Sequence, residues 1–390
     1  MKPSIGVIFG GMSVEHEVSI ISGIQALHAI DKRQYNGVPI YISKQGKWYS
    51  GEALAEIDNY DNIPELLKQA TEVIPTSHQE QLILQRQKTK LFQNSLVQSI
   101  DVAFPVIHGT HGEDGSLQGL LEMLNVPYTG CDITSSAIAM DKLIAKLLLK
   151  SYGLPIVDYF NFNINNWYLD QEKLIESIEQ TITYPVIVKP NNLGSSIGIS
   201  VADNRQELIE AVENAGQFSQ SVLIEKLIEN LKELNCSVLG DSKNTQASPI
   251  EEPIRSSKML NFADKYEGGG KSKGITSTER VLPAQISEEL TQQLSHMAKQ
   301  VFNYIGASGV VRIDFLQDMD SNQVYVNEIN TIPGSLSFYL WEKAGVSFTD
   351  LTSKLIELAL DRTREKSKNT YVFESNILSA RKGGKLGSKN

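Results

Sequence analysis

The chain has 390 residues, more than the roughly 250 to 300 at which one hydrophobic core stops growing, so two or three packed domains are expected. Hydrophobic residues make up 41% and charged residues 21%, a soluble globular composition that excludes a disordered or fibrous protein. A net charge of -10 disfavours a nucleic-acid partner, whose binding draws on Lys and Arg neutralising phosphates.

The first element, "SIGVIFGG", reads as a buried parallel strand that ends in a glycine turn, and "VEHEVSIISGIQALHAI" follows with helical spacing at Val18, Ile21, Ile24 and Leu27. The apolar run before Gly10 is shorter than a signal-peptide core and far below the ~20 residues of a membrane span, so neither targeting nor spanning is expected. "GVPIYIS", "VAFPVIHG" and the helical "SLQGLLEMLNV" repeat the alternation, which predicts an open parallel α/β sheet over residues 1–140 with function at its strand ends. Between Tyr49 and Ile100 the pattern weakens into Gln-rich "HQEQLILQRQKTKLFQ", read as an elaboration of that domain.

A second α/β segment, residues 141–234, opens with the helix of "MDKLIAKLLLKSYGLP" and continues through "YPVIVKPNNLGSSIGISV" and "SVLIEKLI". A third, residues 235–365, holds "ELNCSVLG" from Asn235 on, the glycine-rich "KYEGGGKSKG", a helix from about Ser287 to Tyr304, the strands "SGVVRIDFLQD" and "QVYVNEIN", and the helix "FTDLTSKLIELALDRTREK". The tail, 366–390, is basic and Gly-rich with no apolar period, so its end is expected to be disordered. Cys131 and Cys236 are too few for a disulfide scaffold and lack ligand spacing, which points to a reducing cytoplasm.

The strands "VVRIDFLQD" and "QVYVNEIN" flank the turn-forming "MDSN" and read as an antiparallel hairpin. With its turn centred near Ser321, Asp314 faces Glu328, Arg312 faces Asn330, and all four side chains share one face. Two carboxylates and an amide oxygen at close range repel unless a cation lies between them. Mg²⁺ with a nucleotide suits such hard oxygen donors better than zinc, which takes His or Cys. The competing reading is a surface hairpin with a wet polar face. His108 and His111 have metal-like spacing but no third ligand, so zinc is set aside there. "VIVKPNNLGSSIGIS" puts Lys189 at a strand end ahead of a Gly/Ser loop that suits anionic oxygens, although GxxxxGK[ST] is absent.

Taken in order, "GGMSVEHEVSIISG", "HGTHGEDGSLQGLLEMLNVPYTG", "MDKLIAK", "VKPNNLGSSIGIS", "LIEKLI", "ADKYEGGG", "VVRIDF" and "NEINTIPG" resemble the D-alanine:D-alanine ligases of the ATP-grasp superfamily. The resemblance runs from about Ile5 to Leu360 and implies an ATP-grasp fold, α/β and α+β, behind an open parallel α/β N-terminal domain. It implies ATP and D-alanine as substrates, two Mg²⁺ ions with Mn²⁺ as an alternative, no membrane partner, and a homodimer. Asp314, Glu328 and Asn330 then hold the ions, and Lys142, Lys189 and Lys265 contact phosphates. Glu225, Lys226 and Leu227 form the adenine hinge, and Glu233 binds the ribose. Glu15, Ser195 and Tyr266 form a hydrogen-bonded trio at the first D-alanine, which His108 also contacts. Arg312 and the Gly334 N–H stabilise the tetrahedral oxyanion.

The family usually carries a serine about five residues beyond the final motif glycine, where it binds the second amino acid. Here "PGSLSFYLWEKAG" offers Ser335 and Ser337, with Tyr339 at that offset, and the segment is shorter. Three functions therefore stand: a D-alanine:D-alanine ligase, a relative using D-lactate, D-serine or another acceptor, and a non-catalytic nucleotide-binding module.

Overall fold

A computed structural model describes residues 2–87, 94–254, 280–373 and 375. Its first sheet has seven strands in the order Leu96–Ile100, Gln81–Arg86, Thr71–His78, Trp48–Ser50, Asn36–Ile42, Ser4–Gly10, Val102–Pro105. Only the last three run parallel to one another. The sheet is thus parallel at one end, where the strand–turn–helix pattern expects it, and the weakly patterned stretch after Tyr49 extends it with antiparallel strands. The turn at His78–Gln81 has Gln79 and Glu80 both at positive φ, 48° and 63°. Such a turn normally advertises itself through Asn-Gly or Asp-Gly, and neither occurs here.

Gly10 ends the first strand because a Cβ there would lie 2.3 Å from the Ile42 carbonyl oxygen. The helix His16–Ala29 then packs back on the sheet, with Gly23 seated on Phe9.

The second sheet is antiparallel, Ser200–Ala202, Val186–Pro190, Ser221–Lys226, Tyr159–Asn163. Its core includes Trp167 and Ile175, and apolar residues of the helices Gln171–Thr181 and Arg205–Gly216 fill it. The third is also antiparallel, Thr245–Ala247, Leu231–Gly240, Gly309–Asp318, Val324–Asn330. Apolar residues of the helix Glu288–Tyr304 share its core. A cavity of about 620 Å³ is lined from both antiparallel sheets and from the ends of the first sheet's strands.

The final helix, Phe348–Lys366, joins the first sheet to the third. Leu351, Leu355 and Ile356 share one core with Phe9, Phe104, Val310, Ile332 and Trp341. Arg362 donates to the Gly130 carbonyl at 2.6 Å, and Lys366 pairs with Glu122. Among the described residues no helix is long and apolar enough to cross a membrane. The expected disorder at the end of the tail falls on residues outside the described ones.

Gly23 sets two effects against each other. Alanine gains about 1 kcal/mol of helix propensity over glycine, but its Cβ would sit 2.4 Å from the Phe9 Cβ, and overpacking costs about 1–3 kcal/mol. Gly23→Ala is therefore expected to lower the thermal midpoint; a higher midpoint in melts beside the wild type would contradict this packing.

Candidate active site

The Gly309–Asp318 and Val324–Asn330 hairpin has the register that the spacing predicts, with Asp314 opposite Glu328 and Arg312 opposite Asn330. The pairing shifts between Asp314 and Phe315, where Asn327 is the extra residue. That bulge reconciles Val324 and Val326 in the core with Ile329, whose position in a regular strand would face the opposite way. It also turns Asn327, Glu328 and Asn330 together towards the cavity.

The Asp314 carboxylate accepts from Arg312 Nε at 2.6 Å and Nη2 at 2.8 Å, and from Asn330 Nδ2 at 3.0 Å. Burial alone would lower the Arg312 pKa, but the Asp314 charge outweighs it and keeps the guanidinium ionised. Glu328 faces Lys142 Nζ at 3.2 Å. Among the described residues no three His, Cys, Asp or Glu side chains gather into a metal cluster. The convergent set is two carboxylates and an amide, hard oxygen donors flanked by cations in a cavity, and it fits Mg²⁺ with phosphates.

On the opposite wall Glu225 is buried between two lysines, Lys189 at 2.6 Å and Lys146 at 2.8 Å. Burial would raise the Glu225 carboxyl, yet the two ammonium charges hold it down at about 2. Glu225 is therefore committed as an anion that aims Lys189, whose Nζ also reaches Asn327 Oδ1 at 3.5 Å. Lys146 and Asn327 were not singled out from the sequence. Lys146 lies one helical turn after Lys142, a spacing that could have revealed it.

Lys142 donates to the Leu193 carbonyl at 2.8 Å and so holds the Gly/Ser loop, in which Ser195 and Ser196 adopt left-handed φ of 55° and 59°. Lys226, Leu227 and Glu233 line the cavity where the second and third sheets meet. Glu233 is placed opposite Leu316 on the same face as Asp314.

At the ends of the first sheet's strands, Ser195 Oγ donates to the buried Glu15 carboxylate. Gly109 and Gly194 leave room for it, because a Cβ at either would approach Glu15 Oε2, to 2.6 and 3.1 Å. The third member of the expected trio, Tyr266, and the phosphate lysine Lys265 lie outside the described residues.

His108 lines the cavity with both ring nitrogens engaged. The Ile332 carbonyl, 2.8 Å from Nδ1, can only accept, so Nδ1 carries the proton and Nε2 accepts from Ser22 Oγ, also at 2.8 Å. Burial, helped by the nearby Arg312 charge, lowers its pKa to about 4, so the ring is neutral. His108 thus holds the Pro-Gly turn in place, and Ser22 Oγ completes the link by accepting from the Ser335 N–H at 3.0 Å.

Glu113, absent from the sequence reading, fastens the same turn. Its carboxyl oxygens accept from the Gly109 N–H at 2.9 Å and the Ile332 N–H at 3.0 Å. Burial and then the Glu15 charge raise it to about 8 against these donors. The signal lay in "HGEDG", an acid inside a glycine-rich loop at a strand end.

Ser335, Leu336 and Ser337 form a left-handed turn, φ 49°, 54° and 50°, which carries the chain around in fewer residues. Ser335 and Ser337 are buried outside the cavity, whereas Gly334 and Tyr339 line it. The Tyr339 hydroxyl donates to Glu251 at 3.0 Å, and its ring lies 3.9 Å from the Arg280 guanidinium carbon.

Two antiparallel sheets that close on a cavity, with acids on one and lysines on the other, define an ATP-grasp fold. The family models described as D-ala D-ala ligase N-terminus and D-ala D-ala ligase C-terminus match residues 4–131 and 148–357, and the chain belongs to the D-alanine:D-alanine ligase family. It is 40% identical over 381 residues to the D-alanine–D-alanine ligase of Thermosipho melanesiensis, covering 97% of this chain and 99% of that one. The solved ligase of Coxiella burnetii is 30% identical with a TM-score of 0.78, over 94% of this chain and 96% of that chain. The VanG D-Ala:D-Ser ligase of Enterococcus faecalis is also 30% identical, with a TM-score of 0.76 over 92% of this chain and 100% of that chain.

The raised Glu113 pKa sets a pH dependence. Between about 4.5, where the unfolded carboxyl ionises, and about 8, the folded chain retains a proton that the unfolded chain has released, so this contribution to stability falls as pH rises. Urea midpoints of the wild type relative to Glu113→Gln are expected to decline from pH 5 to pH 8 and then level off. A difference that stays flat with pH would show that Glu113 is already ionised.

Proposed function

We propose that the protein joins two D-alanines at the expense of ATP, giving D-alanyl-D-alanine, ADP and phosphate for peptidoglycan. The observation that carries this is the meeting of Asp314, Glu328 and Asn330 with Lys142 and Lys189 around one cavity that Glu15 and Gly334 also line. In this reading a carboxylate oxygen of the first D-alanine attacks the γ-phosphorus, ADP leaves, and an acyl phosphate forms. The amine of the second D-alanine then attacks the acyl carbon, the C–O bond to phosphate breaks, and the ammonium proton is lost.

Mg²⁺ would be held by Asp314, Glu328 and Asn330 and, when bound, neutralises charge on the triphosphate oxygens. Lys142 and Lys189 add fixed positive charge beside the transferring phosphoryl group. Glu225 to Leu227 would receive the adenine and Glu233 the ribose. Glu15 would hold the ammonium of the first D-alanine, with Ser195 orienting its carboxylate. Arg312 and the Gly334 N–H would meet the tetrahedral oxyanion, charge that exists only in the second step. A cytoplasmic homodimer completes the reading, on the strength of the family resemblance.

A D-serine or D-lactate acceptor is the second reading. Tyr339 at the cavity wall favours it, as does likeness to a D-Ala:D-Ser ligase.

Purified protein with ATP, Mg²⁺ and D-alanine is expected to release phosphate and D-alanyl-D-alanine in equal amounts. Asp314→Asn should cut kcat/KM by at least about 100-fold. Phosphate release that requires D-serine or D-lactate would move the acceptor to the second reading, and no turnover with any of these would leave a nucleotide-binding module.

A further inference from the structure

On the wall opposite Asp314, three buried charges are joined through one carboxylate. Glu225 lies on the strand Ser221–Lys226 and Lys189 on its antiparallel neighbour Val186–Pro190. Each Glu225 oxygen takes one ammonium group, Oε1 that of Lys146 at 2.8 Å and Oε2 that of Lys189 at 2.6 Å. Lys189 lines the cavity, and its Nζ comes within 3.5 Å of Asn327 Oδ1. Lys146 does not line the cavity and meets it only through Glu225.

The helix Lys142–Ser151 gives its inward face to this lysine. Lys146 is 2% exposed, whereas Ile144 and Leu147 on the same helix are 45% and 49% exposed. Among the described residues Glu225 is its one ion-pair partner, and its Nζ lies 5.7 Å from the centre of the Tyr159 ring. Burial lowers the Lys146 pKa and the Glu225 charge opposes that, while Glu225 itself stays ionised. A buried lysine carries a desolvation cost that an apolar side chain in the same place would avoid, so packing does not explain the charge.

We infer that Lys146 is a positioning residue for the triphosphate: by sharing Glu225 it leaves Lys189 with positive charge to offer a phosphate. This deepens the ligase reading above at its nucleotide end. One carboxylate between two ammonium groups leaves the trio with one positive charge. Without Lys146 the carboxylate would neutralise Lys189 outright and hold it back from the cavity. Removing the Glu225 charge as well would return the single positive charge to Lys189.

Binding of Mg²⁺-ATP, followed by titration calorimetry with D-alanine absent, reads this without turnover. Lys146→Met is expected to weaken binding by roughly 10- to 100-fold, the worth of a hydrogen bond to a charged group. Lys146→Gln, which also lacks the charge, is read in the same way should the methionine variant not fold. Lys146→Arg should recover most of the loss. The double variant Lys146→Met/Glu225→Gln should bind more tightly than Lys146→Met, an order that a merely structural role would reverse, because the second substitution would then add damage. In turnover the loss should fall on KM for ATP and not on KM for D-alanine. Unchanged affinity in Lys146→Met, or a double variant that binds no better than it, would overturn the assignment. A wild type that binds Mg²⁺-ATP but joins no amino acid would overturn the ligase reading alone, so the two failures are distinct.

Discussion

A closed set of buried hydrogen bonds holds the Ile332–Ser335 turn to the first sheet. His108 Nδ1–H and the Ile332 carbonyl, the Ile332 N–H and Glu113, and the Ser335 N–H and Ser22 each join segments more than two hundred residues apart. Buried backbone groups at a turn need such partners, since each one left unsatisfied costs about 1–3 kcal/mol. Their consequence is positional. Gly334 lies between two anchored residues, so the direction of its N–H is set by the first sheet even though it follows the strand that bears Glu328 and Asn330. The shared core of Ile332, Leu336 and Trp341 with Phe9 and Phe104 makes the same connection through apolar contact.

Charge is organised around that fixed turn in opposed pairs. Glu225 is stabilised as an anion only because Lys146 and Lys189 reach it from both sides, and Asp314 is held by Arg312 and Asn330. Buried pairs of this kind add little net stability, because desolvation offsets attraction. Their contribution is to keep cationic and acidic groups in fixed places before any triphosphate arrives, which is what electrostatic catalysis of phosphoryl and acyl transfer requires. At the far end of the same sheet, Glu251 fixes Arg280 in the same manner.

Period-two alternation on either side of "MDSN" was enough to pair Asp314 with Glu328 and Arg312 with Asn330, because hairpin register follows from the turn and the polar face. The bulge at Asn327 was written only in the change of parity between Val326 and Ile329. The antiparallel strands after Tyr49 were harder to see, since their turn uses Gln79 and Glu80, residues with little preference for positive φ. Glu113 and Lys146 escaped because an acid near glycines and a lysine on an apolar helix resemble surface residues until burial is known. Glu251 and Arg280 have no motif around them, and only side-chain contacts between distant segments make them neighbours of Tyr339.

The sequence by itself determined the alternating strands and helices, the hairpin that pairs Asp314 with Glu328, the lysine ahead of the Gly/Ser loop and, through eight ordered motifs, the family. These are local patterns, in which spacing of one to four residues fixes which side chains share a face. The tertiary structure alone decided that Ser335 and Ser337 turn away from the cavity while Tyr339 faces it. It alone decided that His108 spends both nitrogens on the turn and that Arg280 pairs with Glu251 beside Tyr339. Those outcomes depend on contacts between distant segments and on burial, which shifts protonation and consumes hydrogen-bonding capacity in ways that no short stretch of chain encodes.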